Sequence, residues 1–319
     1  MIRSVVCAML VLWAGAGAAG TAPGADAVQA RLDQWLSRYD LSAGLVVALA
    51  EGAPWQAASS GKPLDQPVNL QSNSKPVTAH CVADLVAEGL LAWDDPLSVH
   101  LPGAAAVTVG AAVTHAGGIF PDGTQAQMPG WRNDPAPRWR EAADQAAARP
   151  LDPRRGAFLY NNDNYALLGA VIEAVTGQPY LTACAARVLT PEGLSAQLSP
   201  DLGAYGPFGG LAMLPEEFAR FHHARYRAPE PSAPRISLGG GAFYGLGMLS
   251  RARPDGAHNM WHHGMVCFED GVSDGGSFVV GWGANVTVFV AYDGCASPKA
   301  LAALEGWTFD LFDGGPGQK

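Results

Sequence analysis

Residues 71–91 read QSNSKPVTAHCVADLVAEGLL. From Ser74 onward, Val77, Cys81 and Leu85 recur every four residues, with Val82, Val86 and Leu90 on an adjoining stripe. That period predicts a helix over 74–91. An apolar arc this wide belongs to a helix buried in the middle of a domain. Ser72 and Lys75 stand three residues apart and share a helical face, so the hydroxyl and the amine can meet. A serine hydroxyl is a poor nucleophile until a base takes its proton. A lysine at the buried start of a helix can be that base once desolvation lowers its pKa. Alone, Ser-x-x-Lys equally describes a helix cap beside a solvated lysine. The rest of the chain has to decide between the two.

Upstream, Val28, Leu32, Trp35 and Leu36 give helical spacing over 27–39. A strand at 44–50 and a shorter one near 55–59 follow. Downstream, 94–227 holds helical patterns at 165–176 and 214–226, separated by Pro/Gly-rich loops, with little strand signal. The character changes near Gly239. Runs at 242–250, 259–265, 276–282 and 285–292 are rich in apolar and aromatic residues and read as an antiparallel meander. Pro298 then opens a last amphipathic helix through Leu311. The 285–292 run is apolar on both faces, as in a sheet covered by helices on both sides. The expected fold is α/β in the α+β sense: an antiparallel sheet flanked by helices on both faces, with a mostly helical insertion. The expected boundaries are a sheet region at 27–93 and 228–313 and a helical region at 94–227.

The 319 residues, 48% of them hydrophobic, suffice for a packed core. A formal net charge of −9 with 15% charged residues and no Lys/Arg run sets aside nucleic acid and anionic lipid as partners. The amino terminus pairs Arg3 with an apolar run from Val5 to Ala14 and small residues through Ala18. This is the pattern of a cleaved signal peptide over 1–18 and implies a periplasmic or secreted protein. The run is shorter than the roughly 20 residues a membrane span needs, and no later segment is long enough, so no span is expected in the mature chain. Cleavage leaves Cys81, Cys184, Cys267 and Cys295, an even set that fits two disulfides in an oxidising compartment. Cys267 and Cys295 end two predicted strands of one sheet and are paired on that ground, leaving Cys81 with Cys184. Buried free thiols are the other reading. No Cys-x-x-Cys or His-Glu-x-x-His spacing occurs, so neither a metal nor another cofactor is expected.

Two further segments carry chemistry. Tyr160-Asn161-Asn162 offers a phenol and an amide in one loop, suited to relaying a proton and binding a carbonyl. Equally, such a tyrosine can pack in a core while the asparagines start a helix. His262-His263-Gly264-Met265 lies on a predicted strand, where a glycine marks close approach of a ligand to the backbone. The Met265 N–H, with that of Ser72, could hold the oxyanion of a tetrahedral intermediate.

In this order, Ser72-x-x-Lys75, Tyr160-x-Asn162 and His262-x-Gly264 resemble the three signature elements of the serine β-lactamase-like superfamily. It includes class C β-lactamases, DD-peptidases, D-aminopeptidases and related esterases. The blocks at 71–102, 107–119, 158–180, 209–226 and 244–247 look similar as well, so the resemblance spans most of the mature chain. It implies the β-lactamase/transpeptidase-like fold, Ser72 as nucleophile and Lys75 as its base or relay. It also implies Tyr160 as the group that protonates the leaving group and activates water. Asn162 would position the substrate amide, His262 would hold a carboxylate or flank the oxyanion strand, and the oxyanion hole would use Ser72 and Met265.

Departures from the pattern bear on substrate. His262-His263-Gly264 stands where class C β-lactamases have Lys-Thr-Gly, removing the ammonium and the hydroxyl that grip a carboxylate. Only 100 positions separate Asn162 from His262, so the loops over the cleft are short. Gly117 replaces a residue that is often Ser. The expected activity is therefore an exported serine hydrolase opening an amide or ester of a small-molecule or peptide substrate, DD-peptidase-like or esterase-like. A β-lactamase and a non-catalytic sensor of β-lactams or peptidoglycan fragments are the alternatives. Trp131 and Trp139 either wall the cleft or cap the helical region.

Overall fold

Helix α1 (Ala25–Arg38) turns Val28, Leu32, Trp35 and Leu36 to one side, and all four are buried. Their burial gives the helix its place on the sheet, at about 1.5–3 kcal/mol for each large apolar side chain removed from water. The computed structural model describes residues 23–313. The expected leader over 1–18 and the tail at 314–319 lie outside the described residues.

The chain continues through β1 (Ala43–Ala50), β2 (Ala53–Ser60), α2 (Ser74–Ala87), α3 (Asp163–Thr176) and α4 (Pro215–Arg225). It then forms β3 (Arg235–Gly239), β4 (Ala242–Gly245), β5 (Met248–Ala252), β6 (His258–Val266), β7 (Gly275–Trp282), β8 (Val286–Asp293) and α5 (Pro298–Phe312). The strand order of the eight-stranded sheet is β2-β1-β8-β7-β6-β5-β4-β3. Short helices lie between α2 and α4, among them Val109–Val113, Trp139–Ala147 and Tyr180–Cys184. Two compact units divide the described chain: Leu70–Ala212 with Glu230–Leu249, and residues 23–69 with Met213–Pro229 and 250–313.

In the second unit the central strands read as continuous apolar runs because both faces are covered. Val46, Ala48, Phe278, Val280, Val288, Val290 and Tyr292 pack under α1 and α5. Trp35 sets its ring edge on Tyr292 at 5.2 Å and donates its indole N–H to the Ala300 carbonyl at 2.8 Å. On the opposite face, Phe289 meets Phe218 of α4 at 5.1 Å. The register Val47↔Phe289 and Val279↔Phe289 keeps that alternation across three strands.

In the first unit α2 is buried from Ser74 through Val82. The hydroxyls of Thr78 and Tyr180 meet at 2.8 Å, and that of Thr78 also donates to the Pro207 carbonyl at 2.7 Å. Cys81 and Cys184 are disulfide-bonded, with Cα atoms 5.1 Å apart. In the second unit Cys267 pairs with Cys295, at 5.7 Å. Both are the expected pairings, Cys267–Cys295 from the strand ends and Cys81–Cys184 as the pair that remained. Among the described residues, no helix is long and apolar enough to cross a membrane.

Three elements differ from expectation. Helix α2 stops at Ala87 rather than near Leu91, because Gly89 turns into a left-handed conformation (φ 73°), and Leu90 is left 47% exposed. The single run at 242–250 is two strands, broken where Leu246 and Gly247 both have positive φ. Gly247 passes so close to α2 that a Cβ there would lie 2.7 Å from the Pro76 nitrogen. Strand β3 was not expected; alternate exposed positions give it little apolar signal. Trp131 and Trp139 are both buried, and Trp139 packs on Gly206 and against the ring of Tyr180, which favours the capping reading for it.

Candidate active site

Leu70 donates its N–H to the Leu211 carbonyl, and the chain then makes one tight turn at Gln71–Asn73 before α2 begins. Gln71 holds φ 47°, a left-handed conformation that a side chain of its kind seldom adopts. Strain of this type persists only where the surroundings enforce it, and here it sits immediately before Ser72. The turn presents Ser72 half-buried above Lys75, which is completely buried.

The Lys75 ammonium donates to Ser72 Oγ at 3.1 Å, to Asn162 Oδ1 at 2.8 Å and to the Phe208 carbonyl at 2.7 Å. Two of these partners are pure acceptors and hold two of its hydrogens. The remaining position on the nitrogen faces Ser72 and carries a proton or, in the neutral amine, a lone pair. Burial pulls the amine down from its ordinary range to about 7, against the opposing effect of the Asp122 carboxylate. The neutral amine, a free base beside the hydroxyl, is therefore accessible near neutral pH.

Tyr160 completes the group. Its hydroxyl hydrogen-bonds Ser72, and Lys75 lies 4.9 Å from the centre of its ring. Burial pushes this phenol above its usual value, so it is a neutral O–H donor at neutral pH. Ser72, Lys75, Tyr160 and Asn162 thus come together within the first unit, although 90 positions separate Ser72 from Asn162.

Asn162 is held from behind. Its Nδ2 donates to Thr124 Oγ1 at 3.0 Å and its backbone N–H to Asp122 Oδ2 at 3.1 Å. Asp122 in turn accepts from both the N–H and the hydroxyl of Thr124. These contacts fix which end of the amide faces Lys75. Asp122, Thr124 and the Phe208 carbonyl were not singled out in the sequence. A Pro121-Asp122-Gly123-Thr124 stretch signals only a turn.

His262, Gly264 and Met265 stand on β6 in the second unit, opposite Val279, Ser277 and Gly276 of β7. His262 and Gly264 are buried, whereas Met265 packs toward the α1 and α5 core. His263 on that same face bonds Glu305 of α5 at 2.8 Å. The two neighbouring histidines therefore serve opposite sides of the sheet.

Residues 27–290 match the family model described as Beta-lactamase. The chain belongs to the Beta-lactamase family. It is 27% identical to penicillin-binding protein 4 of Amycolatopsis lactamdurans over 288 residues, 84% of this chain and 69% of that protein. A D-stereospecific amidohydrolase from Streptomyces sp. shares the fold with a TM-score of 0.69 at 21% identity, covering 86% of this chain and 98% of the other. A D-amino acid amidase from Ochrobactrum anthropi SV3 does so with a TM-score of 0.70 at 17% identity, covering 89% and 100%. The protein thus has the serine β-lactamase fold and belongs to a serine hydrolase family.

Proposed function

We propose that the protein is an exported hydrolase that opens an amide or ester through an acyl-enzyme on Ser72. The observation that carries this reading is the buried Lys75 amine, 3.1 Å from Ser72 Oγ with its other hydrogens tied elsewhere. The neutral amine takes the Ser72 proton as Oγ adds to the carbonyl carbon. The tetrahedral intermediate then collapses, the bond to nitrogen or oxygen breaks, and the Tyr160 hydroxyl supplies the leaving group with a proton that Lys75 replaces. Water repeats the sequence on the ester and frees Ser72. In this reading the N–H groups of Ser72 and Met265 hold the oxyanion, and His262 stands on the same strand as Met265. Asn162 orients the substrate amide and fixes Lys75.

Two features favour a DD-peptidase-like or esterase-like activity on a small-molecule or peptide substrate over β-lactam hydrolysis. His262-His263-Gly264 lacks the ammonium and hydroxyl that grip a β-lactam carboxylate. Two of the proteins sharing the fold are named as acting on D-amino-acid amides or D-stereospecifically. The test is turnover of a D-amino-acid amide, a short-chain ester and a chromogenic cephalosporin, each with intact-mass spectrometry. Multiple turnovers of the amide or ester, absent in Ser72→Ala, support the proposal. An adduct that never hydrolyses supports the sensor instead, and cephalosporin turnover exceeding the others supports a β-lactamase.

A further inference from the structure

Behind Tyr160 lies a buried imidazole that the proposed chemistry does not use. His115 is fully buried and holds φ 56°. Its carbonyl accepts the N–H of Leu159 at 2.9 Å, and its Nδ1 accepts the N–H of Asn161 at 3.3 Å. Its ring packs on that of Tyr160 with centroids 4.4 Å apart. One residue thus grips three consecutive positions, the middle one being Tyr160. Because Nδ1 accepts from Asn161, the ring hydrogen sits on Nε2, which donates to the Tyr244 hydroxyl at 3.2 Å. Tyr244 bonds Tyr165, and the Tyr165 hydroxyl donates to the Val113 carbonyl at 3.0 Å. The imidazole is anchored on both nitrogens, and its left-handed backbone is enforced by these contacts.

We infer that His115 is a positioning residue that fixes the Tyr160 phenol over Ser72 by gripping both neighbouring amides and the ring itself. It touches no reacting atom. This rests on the proposal that Tyr160 carries the proton to the leaving group. A side chain lacking an acceptor at the Nδ1 position leaves the Asn161 N–H unpaired and lets the Tyr160 loop shift. Displacements of about 1 Å at a reacting group cost on the order of 100-fold in rate.

The test compares His115→Asn with His115→Gly, both suited to positive φ. Asparagine places an oxygen where Nδ1 stood; glycine places nothing there. The readouts are kcat and KM for p-nitrophenyl acetate, labelling by a fluorophosphonate, and thermal unfolding. His115→Gly is expected to lose at least tenfold in kcat with KM within about twofold, and His115→Asn to recover most of that loss. If glycine does not fold, His115→Gln replaces it, since its longer side chain cannot put an acceptor at the Nδ1 position. Equal kcat in the folded variants, or an asparagine variant as slow as its comparator, overturns the role of His115. Wild-type protein that neither labels nor turns over overturns the acyl-enzyme proposal first and this inference with it.

Discussion

Asn162 Oδ1 accepts a hydrogen bond from Lys75 at 2.8 Å, while the other end of the same amide is committed to Thr124. The amide cannot flip without losing both contacts. Lys75 is thereby held with one position free for Ser72, and in the proposed mechanism the protonation state of that position governs the chemistry.

The pH profile follows from it. Below about 7 the Lys75 amine is protonated and cannot accept from Ser72. The value of kcat/KM should rise close to tenfold per pH unit through the acid range and level off above that value. Lys75→Arg, cationic at every accessible pH, should be inactive throughout. A flat wild-type profile between about pH 5 and 9 would assign the base elsewhere.

Asp122 makes a second, signed prediction. Its negative charge favours the Lys75 ammonium, opposing the effect of burial. Replacing it by Asn removes the charge and keeps an acceptor for Thr124. The acid limb of kcat/KM should then move to lower pH. Movement to higher pH would contradict the assigned electrostatics.

Gly117, unexplained in the sequence, has a steric reason. A Cβ there would lie 2.5 Å from Val107 Cγ1, and Val107 is 97% buried from solvent, at 3% exposure. Gly117→Ser should cost about 1–3 kcal/mol in urea unfolding, as overpacked cores do. Val107→Ala should return most of that cost in the double variant. Additive effects would show that the two positions do not compete for space.

The Cys81–Cys184 disulfide closes a span of 103 residues and ties α2 to the Tyr180–Cys184 helix. A loop of that length gives an entropic stabilisation of roughly 4.7 kcal/mol in the chain-entropy model, and measured losses run about 2–5 kcal/mol. Cys81→Ala with Cys184→Ala should fall in that range by denaturant unfolding. A loss below about 1 kcal/mol would mean that the reduced chain keeps the helices together unaided.

What the sequence disclosed follows from how local each signal is. The period of 74–91 gave α2, the apolar runs gave the meander, and the strand ends gave the Cys267–Cys295 pair. The Ser72–Lys75 contact needed only three residues of spacing. Asp122, Thr124 and His115 were illegible because their roles exist only through space: each bonds a residue roughly 40 positions away. Likewise the close approach of Gly247 to the Pro76 backbone joins positions far apart in the chain, although the glycines at 245 and 247 are themselves turn residues.

The most direct test is intact-mass spectrometry after incubation with a fluorophosphonate. Attack of Ser72 Oγ on phosphorus expels fluoride and should leave one adduct, located by peptide mapping on Ser72 and missing from Ser72→Ala. That variant should also lose on the order of 10⁶ in activity. A native, folded protein that remains unmodified, or one labelled equally well without the Ser72 hydroxyl, would contradict the account.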